Sequence, residues 1–340
     1  MVLELGGRWV GKSLYILSSG RLARKDNTIV IENDEGRRFV PVETADEIMI
    51  FGDVTLNKRF LEFATEYHLA LHFFNHYGYY QGTYYPREHY NSGAVIIKQC
   101  EHYTNEELRL KIASRFVYGA IENMKKVVGY YGRRQDSSLE AIEDSLDLAK
   151  KDVTEATGIT TLMGIEGKAR NAYYKMFDRV VQDPAFSFEI RSRRPPQNRM
   201  NALISFLNSM CYVTALGQIY QTHLDPRIGY LHETNFRRFS LNLDIAEIFK
   251  PILVDRLIFT LLNKKMIEAK HFAKEGNAMY LTDTGRGIVL RTWEERLRET
   301  ITHPRLNRKV SYRTLIKMEV YKLERHILGD AEYRPFISRW

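Results

Sequence analysis

The chain has little cysteine: Cys100 and Cys211 are the only two in 340 residues. Two isolated cysteines give neither the paired spacing of a structural zinc site nor a disulfide framework. Both are expected to be small buried hydrophobes in a reducing compartment. Long apolar runs are missing too. None approaches the ~20 residues that span a bilayer. The opening "MVLELGGRWVGKSLYILSSG" mixes acid and base without the apolar centre of a secretory leader. A cytoplasmic protein with no membrane partner is the expectation. Fixed-period repeats and low-complexity tracts are absent, so the chain is not a repeat array. An excess of positive charge is missing from one region only. Residues 1–90 hold 10 Lys+Arg and 12 Asp+Glu, a balance of −2, so the remainder carries +10 of the net +8. A basic field on the second part attracts polyanions, nucleic acid above all.

What is present fills ordinary cores: 44% of the residues are apolar. At roughly 150 residues per domain, two domains are expected. Residues 1–60 read as short strands, "SLYILS", "TIVIEN", "RFVPV" and "EIMIFG", separated by Gly, Asn and Asp turns. Residues 57–67 have helical spacing with Asn57 as N-cap. "LALHFFNHYGYYQGTYYP" returns to strand and turn. Its aromatics suit a small β core or a dimer contact better than a platform for stacked bases. From residue 104 the pattern is helical: "TNEELRLKIASRFVYGAIENMKKVVGYYGRR", "SLEAIEDSLDLAKKDVTEA", residues 166–182, the apolar stretch after Pro195-Pro196, and "SLNLDIAEIFKPILVDRLIFTLLNKKM" with a kink at Pro251. The reading is an α+β chain: a small N-terminal β-rich domain (1–90), a linker (91–103) and a larger all-α C-terminal domain (104–340).

Three segments place polar groups inside apolar patterns. Glu166, between Gly164 and Gly167, reads as an acid at a helix start, where the dipole favours it by roughly 0.3–1 kcal/mol. The glycines allow a backbone or ligand to approach closely. His232 lies in "GYLHE", with no local partner fixed. Asp244 and Glu247 are three apart and share a helix face after Ser240, a suitable N-cap, and Asp255 follows on roughly that face. Singly, each has an ordinary structural explanation. Together, two or three carboxylates and one imidazole form a ligand set for Mg²⁺ or Mn²⁺ amid Lys and Arg, a combination suited to phosphodiesters.

These segments resemble a known family. "GIEGKAR", "RRPPQNRMNALISF", and "LHE" followed by "SLNLDIAEIFKPILVD" are similar, in order, to motifs of the CRISPR-associated adaptation integrases, described as metal-dependent DNA endonucleases. "LYILSSGRLARKDNTIVIE", "FVPVETADEIMIFG" and "HYGYYQGTYYP" look like that family's β domain. The resemblance implies a homodimer formed through the β-rich domain and a helical catalytic, DNA-binding domain. It maps the metal ligands onto Glu166, His232 and Glu247, with Asp244 as a supporting acid. Many members carry aspartate where Glu247 stands, which leaves the choice between Asp244 and Glu247 open. It implies insertion of prespacer DNA at a CRISPR leader–repeat junction, with a small partner protein of the adaptation module. A DNA 3′-hydroxyl would be the nucleophile, or water in a nuclease reaction. Lys168, Arg170, Arg237, Arg238 and Lys250 are the candidate phosphate contacts. Arg191, Arg193, Arg194 and Arg199 form a second basic cluster. A non-catalytic nucleic-acid-binding scaffold and a hydrolase of small phosphate esters are the competing readings.

Overall fold

A computed structural model of the chain describes residues 12–86, 90, 92–135, 139–234, 239–303 and 306–339. In chain order the first elements are β1 (Lys12–Ile16), β2 (Gly20–Lys25), β3 (Thr28–Asn33), β4 (Gly36–Pro41), β5 (Ala45–Ile50), β6 (Val54–Leu56), α1 (Lys58–Glu66), β7 (Ala70–Phe74) and β8 (Tyr80–Tyr84). Then come α2 (Gly93–Thr104), α3 (Glu106–Gln135), α4 (Glu140–Glu155), α5 (Ile159–Tyr174), α6 (Phe177–Val180), α7 (Arg199–Ile219), α8 (Leu241–Lys250) and α9 (Arg256–Asn263). The last elements are β9 (Phe272–Glu275), β10 (Ala278–Leu281), α10 (Asp283–Arg298), β11 (Thr300–His303), β12 (Arg308–Ser311) and α11 (Tyr312–Ile327).

The chain divides into two compact units. The first comprises residues up to His89 together with Leu281–Glu294, and the second Tyr90–Tyr280 with Glu295 onward. In the first unit, β1, β5 and β7 run parallel and β8 returns antiparallel, while β4-β3-β2-β6 form a second four-stranded sheet. Alternation decides the faces. Leu14, Ile16, Ile48, Ile50 and Leu71 meet Leu22, Ile29, Ile31 and Val40, with Phe60 and Phe63 of α1, in one core. Asn57 caps α1 as expected, its side chain accepting from the Phe60 N–H at 3.0 Å. The aromatics of residues 73–85 belong partly to this packing. Phe74 stacks on Phe51 with centroids 4.3 Å apart, and the Tyr84 hydroxyl bonds Thr65 at 2.7 Å.

The second unit is built mostly from helices. α3 packs on α4, α5 and α8, and α7 packs on α8 and α11. α7 starts at Asn198, whose side chain accepts from the Asn201 N–H. By length and composition it is apolar enough to cross a membrane, contrary to the expectation that no such run exists. Burial explains its composition: Leu203, Ile204, Leu207, Met210, Cys211 and Leu216 are all inside this unit.

Four expectations need correction. The second part is not all-α. Two short hairpins, β9–β10 and β11–β12, interrupt it, and four-residue strands carry too little alternation to stand out beside helices. The stretch read as a linker, 91–103, is largely α2; its buried positions are only Val95 and Gln99, so it lacked an apolar stripe. Residues 281–294 of the supposed C-terminal domain cluster with the first unit. Cys100 is exposed, not buried, whereas burial of Cys211 pushes its thiol up to about 12.

Candidate functional site

Glu166 is not at a helix start. α5 begins after Gly158 and carries Glu166 in its interior, so the N-terminal dipole has no bearing on it. Gly164 and Gly167 are helical, with open space where a Cβ would stand. The Glu166 side chain remains 20% exposed, and its Oε1 accepts from Arg170 Nε at 3.3 Å, one turn on.

Arg170 is the hub. Read from sequence as a phosphate contact, it is instead buried and committed to carboxylates. Its Nη2 donates to Glu247 Oε2 at 2.6 Å, and its Nη1 lies 4.0 Å from Asp255 Oδ2. Burial, the largest effect, works against its charge, but Glu247 and Glu166 hold its pKa well above the ordinary value. Lys250, the second expected phosphate contact, is also buried. Its Nζ donates to Glu247 Oε1 and stands over the Tyr212 ring, 4.6 Å from the centroid. Burial alone would raise Glu247; Lys250, Arg170 and His232 outweigh it and hold the carboxyl at about 2.

Asp244 serves a different purpose. It is fully buried in the first turn of α8. Its Oδ2 accepts from the N–H groups of Tyr230 (2.6 Å) and Leu231 (3.1 Å). Its Oδ1 accepts from the His232 N–H (3.0 Å) and from His232 Nδ1 (2.8 Å). A carboxylate accepts only, so Nδ1 carries a proton, and in the neutral ring Nε2 keeps a lone pair. Nε2 has no hydrogen-bond partner among the described residues, and the ring is 27% exposed. Burial pulls the imidazole pKa down, but the hydrogen bond and charge of Asp244, with Glu247, leave it raised.

The loop before α8 is held from several sides. Gln99 of α2 exchanges hydrogen bonds with the Asp225 backbone, and Arg109 of α3 donates to Tyr230 O at 2.9 Å. Ser240 occupies the N-cap position of α8 as expected, but its side chain makes no capping bond. Its hydroxyl accepts from Gly229 N and donates to Arg227 O, tying the loop to the helix start. Gln99, Arg109 and Ser240 were silent in this role because their partners are backbone groups distant in sequence. Asp255 sits in a π-helical turn, Pro251–Asp255, between α8 and α9, where the kink at Pro251 was expected. Burial pushes its carboxyl up to about 6, with Arg170 acting against the rise.

The set thus forms a chain: Glu166 and Glu247 share Arg170, and Glu247 and Asp244 both act on His232. Lys168 is exposed on α5, while Arg237 and Arg238 lie outside the described residues. In the second basic cluster Arg193 and Arg194 are exposed. Arg191 donates to Asn201 and Ser205, and Arg199 to Ala185 O. No three His, Cys, Asp or Glu side chains among the described residues are grouped to enclose an ion. The donors nevertheless fit a hard divalent cation in type. The imidazole is fixed through its other nitrogen, as in metal-ligating histidines, and each carboxylate has lone pairs beyond those its cations use.

Residues 14–295 match the family model described as CRISPR associated protein Cas1. A curated relative, the CRISPR-associated endonuclease Cas1 2 of Thermodesulfovibrio yellowstonii, is 53% identical over 329 residues, covering 97% of this chain and 99% of that one. A solved Cas1 protein from Thermotoga maritima is similar at TM-score 0.87 and 50% identity, over 97% of this chain and 100% of that chain. A casposase bound to integration product shares the fold at TM-score 0.84 and 19% identity, over 97% and 96% of the two chains.

Proposed function

The chain belongs to the CRISPR-associated Cas1 family, and from that premise we propose that it is a metal-dependent DNA endonuclease and integrase that inserts prespacer DNA into a CRISPR array. The nucleophile is the 3′-hydroxyl of the incoming DNA, or water in the nuclease reaction. The protein works as a homodimer with a small partner protein of the adaptation module.

The observation that carries this reading is the His232–Asp244 pair: a buried carboxylate anchors one ring nitrogen, and the other, at a partly exposed edge, has no hydrogen-bond partner among the described residues. Glu166, Glu247 and His232 Nε2 would hold Mg²⁺ or Mn²⁺. When bound, such an ion polarises a phosphoryl oxygen and neutralises developing charge. The side chains of the protein supply position. Asp244 fixes the imidazole's tautomer and aim, so it is an orienting residue and not a ligand, and Glu247 is the third donor. Lys168, exposed on α5 on a different face from Glu166, takes a DNA phosphate away from the cation. The open face at Gly164 and Gly167 adjoins Lys168 and leaves room there for the DNA backbone.

Branched DNA with purified protein and Mg²⁺ or Mn²⁺ tests the proposal. Wild type forms joined and cleaved products; Glu166→Ala and His232→Ala form none while still binding DNA. If both variants match wild type, the site is wrong. Binding that is indifferent to metal, with no product from any form, would favour the scaffold reading.

A further inference from the structure

Arg170 makes contacts that a phosphate-binding arginine would not. It is buried, and its planar fork meets carboxylates from three places in the chain: Glu166 on its own helix at 3.3 Å, Glu247 on α8 at 2.6 Å, and Asp255 in the π-helical turn at 4.0 Å. Two carboxylates brought together from separate helices, one buried and one partly buried, repel each other unless a cation stands between them. Arg170 is the group that bonds both Glu166 and Glu247, whereas Lys250 reaches Glu247. The third contact differs in kind. Arg170 Nη1 and Asp255 Oδ2 are both buried and have no hydrogen-bond partner among the described residues, although they face each other across 4.0 Å. That separation is too long for a hydrogen bond and short enough to become one by a small side-chain pivot.

We infer that Arg170 and Asp255 form a positioning pair for the cation site. Arg170 draws Glu166 and Glu247 to one place, and Asp255 takes up the guanidinium when Glu247 turns an oxygen towards the cation. The inference rests on the reading of Glu166, His232 and Glu247 as ligands. Neither Arg170 nor Asp255 touches the cation or the DNA. The π-helical turn matters because it sets Asp255 against Arg170, beyond the end of α8.

The test is Mn²⁺ affinity of the full-length protein without DNA, read by the free-Mn²⁺ electron-spin-resonance signal. Thermal melts check that each variant is folded. Charge alone and positioning predict opposite signs. If Arg170 merely adds a positive charge, Arg170→Gln binds Mn²⁺ more tightly and Arg170→Lys binds as wild type does. Positioning predicts that both bind about 10–100-fold more weakly, the usual cost of losing a group that orients a metal ligand. Lysine fails because one ammonium cannot replace a fork holding two carboxylates. Asp255→Asn, nearly isosteric, also binds more weakly. If Arg170→Gln does not fold, Arg170→Lys decides: unchanged affinity overturns the inference. Unchanged affinity in Asp255→Asn overturns the role given to Asp255. His232→Ala separates the two layers. If it loses Mn²⁺ and Arg170→Gln does not, positioning is wrong and the ligand reading stands. If His232→Ala binds as wild type does, both fall.

Discussion

Asp244 and Glu247 sit one turn apart on α8, yet their surroundings give them different tasks. Asp244 spends its oxygens on three backbone N–H groups and one imidazole. Leaving a buried hydrogen-bonding group without its partner typically costs about 1–3 kcal/mol, and more where the lost partner is charged. Asp244→Ala is therefore expected to lower unfolding free energy by about that amount in urea titrations, besides abolishing product formation. The His232 imidazole gives a pH test with two opposite signs. Its pKa is raised in the folded protein by Asp244 and Glu247 against burial. The stability it contributes without metal is complete below the unfolded value of about 6.5 and is lost as pH rises through the folded value. Mn²⁺ affinity runs the other way, since only neutral imidazole ligates. Melting curves of metal-free wild type and His232→Ala should converge as pH rises, while Mn²⁺ affinity of wild type climbs over the same range.

At the scale of elements, the loop at residues 225–234 and the start of α8 act as one piece. A Cβ on Gly229 would stand 2.8 Å from the Ser240 carbonyl carbon and 2.9 Å from Asp244 Oδ2. Gly229→Ala must push the anchor of His232 aside, and kinetic assays should show at least a tenfold loss of activity. The apolar helix α7 offers a contrasting stability test. Leu207→Ala should cost about 2–5 kcal/mol in denaturant titrations. The helices α3, α4, α7 and α8 were legible because their apolar positions recur at helical spacing. The strands of the first unit were legible through alternation and turns. Glu166 was misplaced because Gly164 and Gly167 read as a boundary, although helical glycines are tolerated where nothing crowds them. Arg170 and Lys250 read as surface bases since sequence spacing does not reveal burial. Only the fold brings Arg170 to Glu247, 77 positions away.

For the whole molecule, charge and chemistry separate. The buried bases Arg170 and Lys250 are neutralised by local acids, so long-range attraction of DNA falls to exposed bases such as Lys168, Arg193 and Arg194. DNA affinity should fall linearly with salt on a log–log plot, and Lys168→Ala should make that slope about one unit shallower without altering Mn²⁺ affinity. The central claim, that Glu166, His232 and Glu247 share one divalent cation, is met most directly by anomalous diffraction from crystals soaked in Mn²⁺. The account predicts a manganese peak within ~2.0–2.6 Å of a Glu166 oxygen, His232 Nε2 and a Glu247 oxygen. Manganese bound elsewhere, with Arg170 and Lys250 still holding both Glu247 oxygens, would contradict it.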